Sequence, residues 1–228
     1  MLYIVATPIG NLDDLSYRQA KILSESDVIL AEDTRSAQTL LSAIPKRFKF
    51  HIPRSLRIIS YYKEREFEKL PEVFKLLKDN KNVSLVSESG LPLISDPGQL
   101  LVEQIIKQQL PFTVIPGPSA ATAALVYSGF KTDCFMFLGF LPKKYAALVK
   151  TVEAMRQSNN ILKELVFIFY ESPQRINQTL KVLDEKIPKA DVCICREMTK
   201  QFEETIRGKP KDLMNKKYKG EVTLVIKI

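Results

Sequence analysis

The chain has 228 residues, enough for one large or two compact domains at roughly 100–200 residues each. Its 45% apolar and 26% charged residues exclude a disordered or fibrous protein, and no apolar run approaches the ~20 residues of a membrane-spanning helix. The 34 basic against 26 acidic residues leave a net charge of +8, which suits a polyanionic partner.

In chain order, Leu2–Ala6 reads as a first strand running into the turn-rich Thr7-Pro8-Ile9-Gly10-Asn11. No basic stretch precedes this apolar run, so no signal peptide is expected and the expected compartment is the cytosol. Asp27–Ala31 is a second strand, followed by the polar cluster Glu32-Asp33-Thr34-Arg35, and Ile58–Tyr61 is a third. In Glu66–Lys78, Phe67, Leu70, Val73, Phe74 and Leu77 recur at helical spacing. Val83–Ser87 is a fourth strand and leads into a long loop from Ser87 to Gly98. A helix over Gln99–Gln109 and a fifth strand over Phe112–Ile115 come next. That strand ends in Pro116-Gly117-Pro118-Ser119-Ala120, where Ser119 is placed to cap a helix starting near Ala120. Further strands follow at Cys134–Leu138, Leu165–Tyr170, Val192–Cys195 and Glu221–Ile228, with a helix over Pro173–Glu185. Strands alternating with helices predict an α/β fold with largely parallel sheets. The Pro-Gly-Pro break splits it into two α/β domains, 1–115 and 116–228.

The charge is uneven. Pro45–Lys69 carries eight Lys or Arg against three Glu, Lys143–Lys163 five against one, and Arg207–Lys219 six against one. These 19 basic and 5 acidic residues leave 15 basic and 21 acidic elsewhere, so positive charge gathers in three surface-like segments. Lys and Arg in such segments favour nucleic acid, because phosphate contacts release counterions.

Absences narrow the chemistry. Cys134, Cys193 and Cys195 lie in apolar runs and read as buried, reduced thiols. His51 is the single histidine, so no metal site built on histidine clusters is expected. There is no G-x-G-x-x-G, no phosphate-binding P-loop and no G-x-S-x-G, which disfavours dehydrogenase, NTPase and α/β-hydrolase alike. What remains is three loops at strand ends, after strands one, four and five, able to wall one crevice. Helix N-terminal amides beside such a crevice hold a carboxylate or phosphate readily. The clusters after Ala31, Tyr170 and Cys195 mix carboxylates with Arg or Lys, as helix caps and ion pairs do, and as a phosphate-holding, proton-accepting site would.

The ordered series TPIGN, EDTR, LISDPG, IPGPSA, GFLP, ESPQR and REMTKQFEE runs from residue 7 to residue 204. It resembles the tetrapyrrole methylase family, in the branch acting on small-subunit ribosomal RNA. The resemblance implies two α/β domains of the class III methyltransferase type, with a cofactor cleft between them that takes S-adenosyl-L-methionine. It further implies a homodimer, and 2′-O-methylation of a cytidine ribose in the decoding region of 16S rRNA within the small ribosomal subunit. Matched position by position, the cofactor residues are Pro8, Ile9, Leu91 through Ile94, Ser119, Ala120, Tyr170, Cys195, Arg196 and Thr223. Departures from the family pattern are Glu88 for Asp, Leu91 for a hydroxyl residue, Gln174 for histidine, and Tyr62-Lys63-Glu64-Arg65 where relatives carry histidines.

A ribose hydroxyl attacking a sulfonium methyl needs alignment and a proton acceptor. Lacking a suitable histidine, the chain offers Asp33, Glu88 and Glu197 as acceptors, with Arg35, Lys143, Lys144, Arg175, Arg196 and Lys200 toward RNA phosphates. Two rivals stay open. One is methylation of a tetrapyrrole or other small molecule, with little salt dependence. The other is a non-catalytic ribosome-binding relative, motivated by Leu91 and Tyr62.

Overall fold

Short, almost wholly apolar runs build the first sheet of the computed structural model, which describes residues 1–228. β1 (Leu2–Val5) is followed by α1 (Tyr17–Ser24), β2 (Val28–Ala31), α2 (Thr34–Phe48), β3 (Arg57–Ser60), α3 (Glu66–Lys78), β4 (Val83–Val86), α4 (Gln99–Lys107) and β5 (Phe112–Ile115). The strand order is β3-β2-β4-β1-β5, and every neighbouring pair is parallel. β2 and β4 are buried at every position because helices cover both faces, which is why these strands do not alternate polar and apolar residues. α1 and α2 pack Leu23, Leu40 and Ile44 against Val5 and Ile29 on one face. Val73 of α3 and Leu101 and Ile105 of α4 meet Leu2, Leu30 and Leu85 on the other. α1 opens with a capping box, in which Ser16 and Gln19 satisfy each other's backbone amides.

The remaining elements are α5 (Ala120–Ser128), β6 (Phe135–Phe140), α6 (Tyr145–Leu162), β7 (Val166–Glu171), α7 (Ile176–Lys186), β8 (Asp191–Arg196), β9 (Glu204–Gly208), α8 (Pro210–Leu213) and β10 (Val222–Lys227). They form a second five-stranded sheet in the order β6-β7-β10-β8-β9. The expectation of largely parallel sheets fails here. Only β6 and β7 pair parallel, while β10 is antiparallel to both β7 and β8, and β8 to β9. The reason is local: the seven residues between β8 and β9 are too few for a crossover helix, so the chain must reverse. β9 itself is a strand the apolar pattern did not show, because it lies at the sheet edge and keeps Glu204 and Arg207 exposed. The basic stretch from Lys143 to Lys163 is also more than surface. Most of it is α6, which sends Leu148, Val152 and Met155 into the core with Phe167, Phe169 and Leu180.

The chain divides into units Met1–Ser119 and Ala120–Ile228. The loop Pro116–Ser119 thus stays with the first unit, four residues beyond the expected division after Ile115. No helix is long and apolar enough to cross a membrane.

In the second unit, Glu171 ends β7 and is only 4% exposed. It accepts hydrogen bonds from Thr179 Oγ1 at 2.6 Å and from its neighbour Ser172 N at 2.6 Å, and pairs with Arg175 at 2.6 Å. Arg175 donates in turn to Leu141 O at 3.2 Å, so one carboxylate ties β7, α7 and the segment after β6. Glu171→Ala should cost about 2–3 kcal/mol in urea unfolding, since it strands Thr179 and Arg175 together. Glu171→Gln, which keeps an acceptor, should lose less.

Candidate functional site

Parallel pairing brings the carboxyl ends of β1 to β5 to one edge, and three loops from that edge are joined by hydrogen bonds. Thr7 N donates to Gly90 O at 2.8 Å and Gly90 N to Thr7 O at 3.1 Å, a single antiparallel bridge between the loops after β1 and β4. The Thr7 hydroxyl also donates to Ser87 O at 3.2 Å, and the Ser87 hydroxyl to Gly90 O at 2.9 Å. Gly90 has φ +86°, and a Cβ there would sit 3.4 Å from both Ile9 Cγ2 and Pro118 O. The three loops therefore close around one residue. Pro8 and Ile9 are buried, Leu91 half-buried and Ile94 exposed. Gln19 Nε2, from α1, donates to Pro116 O at 3.2 Å, and a side chain at Gly117 would overlap Gln19. Only main chain can be presented on that side of the loop. Ser119 and Ala120, both half-buried, follow it.

The long loop from Ser87 to Gly98 follows an unusual backbone path. Leu93 and Ser95 take φ of +72° and +73°, and Gly98 takes +123° at the N-cap of α4. The buried Glu66 carboxylate accepts a hydrogen bond from Gly98 N and so anchors the far end of the loop. Nearby Tyr61 is fully buried with no partner for its hydroxyl, and burial, then the Glu66 charge, push its phenol pKa up.

Between Ser95 and Gly98 sits Asp96. Burial first, then the charges of Glu32 and Glu88, push its carboxyl up to about 7. Glu32, at the end of β2, is also raised, by burial and then by Glu88 and Glu64. Glu88, Glu32 and Asp96 thus form one electrostatic group at the carboxyl edge. Asp96 and Glu32 were not among the expected catalytic residues. The only sequence signal for Asp96 was its place in LISDPG, and no pattern reveals how far a loop carboxylate is desolvated.

Asp33 has a different task. It caps α2 by accepting from Arg35 N at 2.7 Å and pairs with the Arg35 side chain at 2.8 Å. Those contacts hold its carboxyl down to about 2. Glu197, in the second unit at φ +48°, accepts from Glu221 N at 2.8 Å and pairs with Lys200 at 3.2 Å. The Glu221 amide, then Lys200, keep its carboxyl below the usual range. Lys200 also pairs with Glu221 at 3.0 Å. Both carboxylates are weak proton acceptors with structural partners. Arg175 is committed to Glu171 and Leu141 O, whereas Lys143 and Lys144 are exposed just before α6.

The second unit aligns its expected cofactor residues across the sheet. Thr223 on β10 is opposite Tyr170 on β7 and Cys195 on β8, and Val222 is opposite Arg196. Tyr170, Thr223 and Cys195 therefore form one cross-strand row. Thr223 and Cys195 are buried, and Cys195 Sγ lies 4.0 Å from Ala124 O of α5, on the face away from α6 and α7. Its hydrogen bond with Cys193, 3.8 Å away, and then burial, push the Cys195 thiol up, so it packs as a neutral group. Arg196 donates to Lys219 O at 3.1 Å and to Glu204 at 2.9 Å.

A doubly wound parallel sheet with closed loops at its carboxyl edge, followed by a mixed second sheet, is a fold seen in methyltransferases. Solved structures with it include the methyltransferase CobJ, at TM-score 0.71 and 16% identity over 99% of this chain and 92% of that one. Another is the uroporphyrin-III-C-methyltransferase from Thermus thermophilus, at TM-score 0.64 and 15% identity over 99% and 93%. At such identities the likeness shows the fold alone. The family model of tetrapyrrole (corrin/porphyrin) methylases matches residues 1–214, and the chain belongs to that family. It is 40% identical to the ribosomal RNA small subunit methyltransferase I of Thermotoga maritima, over 99% of this chain and 97% of the relative. The proteins of the same name from Hydrogenobaculum sp. and Bacillus subtilis are 40% and 34% identical, covering 94% and 74% of those relatives.

The protein is a methyltransferase that uses S-adenosyl-L-methionine. The first-unit loops fit that cofactor: Pro8, Ile9 and Leu91 would offer it apolar groups, and the tight packing at Gly117 leaves main-chain groups to hydrogen-bond.

Because the folded Asp96 carboxyl ionises near 7 and an unfolded one near 4, folding takes up a proton between those pH values and stability falls as pH rises through them. Asp96→Asn should therefore raise the melting temperature relative to the native chain at pH 8, with the difference narrowing as pH falls and vanishing only below about pH 4, where the unfolded carboxyl is protonated too. Calorimetry at the two pH values measures it.

Proposed function

We propose that this chain methylates small-subunit ribosomal RNA, at the ribose 2′-hydroxyl of a cytidine in the decoding region. The observation that carries the reading is 40% identity, over 99% of the chain, to relatives named ribosomal RNA small subunit methyltransferase I. The charge of +8, gathered in segments with exposed lysines such as Lys143 and Lys144, supports a phosphate-bearing substrate. Pro8, Ile9, Leu91, Ile94, Ser119, Ala120, Tyr170, Cys195, Arg196 and Thr223 are proposed as cofactor-contacting residues, each set on its own unit.

The cofactor supplies an activated methyl group on sulfur, so the protein's work is alignment and proton removal. We assign the proton acceptor to Asp96, with Glu88 and Glu32 tuning it. A carboxylate near 7 is half ionised at neutral pH and a far better base than one held near 2, which moves the role away from Asp33. We propose Arg35, on the exposed first turn of α2 and within electrostatic reach of Glu88, as a contact to an RNA phosphate.

We further propose a cytoplasmic homodimer. Phe135, Leu138 and Phe140 are exposed along β6, an edge strand, where a second copy would bury them. Sedimentation of a Phe140→Glu variant should show a shift toward monomer.

Transfer of labelled methyl to undermethylated small ribosomal subunits, followed by nuclease mapping, tests the function. Label on one ribose 2′-oxygen is expected; label on a base, or transfer only to a tetrapyrrole, overturns the reading. Asp96→Asn should slow transfer by about 10²-fold or more while still binding S-adenosylhomocysteine. Glu88→Gln should shift the pH midpoint of transfer downward, because it removes a charge that opposes Asp96 ionisation.

A further inference from the structure

The outer face of α2 is bordered by an open groove of about 510 Å³, lined by Leu12, Arg35, Gln38, Thr39, Lys46 and Arg47 among others. The chain from Thr34 to Tyr62 holds six Lys or Arg and no Asp or Glu. Arg35 is 91% exposed, and Lys46 and Arg47 are exposed at the other end of the helix. Eleven residues separate Arg35 from Lys46, about 17 Å at the helical rise of 1.5 Å per residue. Asp33 and Asp13 pair with Arg35 at 2.8 Å and with Arg47 at 3.0 Å, one at each end of the groove.

Beyond the Lys46 end lies an aromatic cluster that the core does not absorb. Lys49 adopts φ +58°, so the chain turns sharply at the end of α2, and the rings of Phe48 and Phe50 lie 6.5 Å apart and 23° from parallel. Both are half-buried against the first-unit core. Tyr17, the first residue of α1, is 64% exposed and packs its ring 5.0 Å from Phe50 and 6.4 Å from Phe48. One aromatic ring, backed by two others, thus faces solvent beside Arg18, Lys46 and Lys49, which are also exposed.

We propose that this groove is the docking track for a single-stranded segment of the RNA substrate, with phosphates on Arg35, Lys46 and Arg47 and a base stacked on Tyr17. A cationic path ending in an exposed aromatic is what a flexible strand requires, since phosphates need charge and unpaired bases need a flat apolar face. A duplex offers no free base face for Tyr17, and an acidic protein would leave the ring without a partner. The Arg35 end adjoins the carboxyl edge of the sheet, so the strand is led toward Asp96. The inference rests on the ribosomal RNA reading and adds the route by which that RNA is held.

The full-length protein, titrated with a short labelled single-stranded oligoribonucleotide across a salt series, tests it. The double variant Lys46→Ala, Arg47→Ala should reduce the slope of log K against log salt by about 1.4, from roughly 0.7 per lost phosphate contact. Tyr17→Ala should weaken binding at least about fivefold, while Tyr17→Phe, which keeps the ring, should bind as the native chain does. S-adenosylhomocysteine binding should be unchanged in all three, which shows that they are folded. Native slope and affinity in these variants, with native methyl transfer to subunits, would overturn the groove and leave the methylation reading standing. A native chain that binds S-adenosylhomocysteine but neither binds nor methylates RNA would overturn both. Tighter binding to duplex that Tyr17→Ala does not affect would overturn the stacking role and with it the single-stranded occupant.

Discussion

The first unit depends on the parallel alignment of β1 to β5 and on the pair of hydrogen bonds that closes its carboxyl edge. Parallel strands covered on both faces by helices must be apolar throughout, so polar chemistry is pushed to the strand ends. There the Thr7 and Gly90 main chains bond to each other, the Thr7 hydroxyl donates to Ser87 O, and the Ser87 hydroxyl adds a second bond to Gly90 O. Gly90 allows the approach because it reaches φ +86° without cost and has no side chain between Ile9 and Pro118. Remove that closure and the three loops have no common reference, and the carboxylates at their edge lose their places.

Environment divides the work among carboxylates of similar intrinsic acidity in both units. Asp33 points at its own helix amides and Arg35, and stays charged. Glu197 is pinned by the Glu221 amide and Lys200. Asp96 has neither a cap nor a cation to stabilise its charge. It is desolvated among Glu32 and Glu88, on a loop whose strained backbone at Leu93 and Ser95 is anchored by Glu66 at Gly98. Desolvation and like charge act in the same direction there, and the result is a carboxyl poised at neutral pH. Glu66 and Tyr61 are buried, and Glu66 ties the end of that loop at Gly98.

The second sheet reaches its order by a different rule. A short reversal after β8 forces β9 antiparallel, and β10 then enters between β7 and β8. That insertion is what brings Thr223 opposite both Tyr170 and Cys195, although the three are far apart in sequence. Glu171 and Arg175 belong to the same economy of position: the polar cluster after β7 ties elements together beneath the surface and presents no free guanidinium to an anion.

Much of this was written in local pattern. The apolar runs of β1, β2, β4 and β7, the helical spacing of α3, and the turn residues after β1, β4 and β5 declare an α/β chain with loops at strand ends, because short-range sterics and burial act on neighbours in sequence. The ordered series of seven motifs resembles the tetrapyrrole methylases, and the family match over residues 1–214 bears that out. What the sequence could not show were effects set by distant residues. The edge strand β9 buries too little to carry a pattern, and the antiparallel setting of β10 lies in its pairing with β7 and β8, strands far from it in sequence. The acidity of Asp96 depends on Glu32, which lies 64 residues away, and on how much water the folded loop excludes. Asp33 and Asp96 look alike in sequence, and only the folded chain makes one a charged helix cap and raises the other toward neutral pH, because charge is stabilised or penalised by what packs around it and not by what precedes it in the chain.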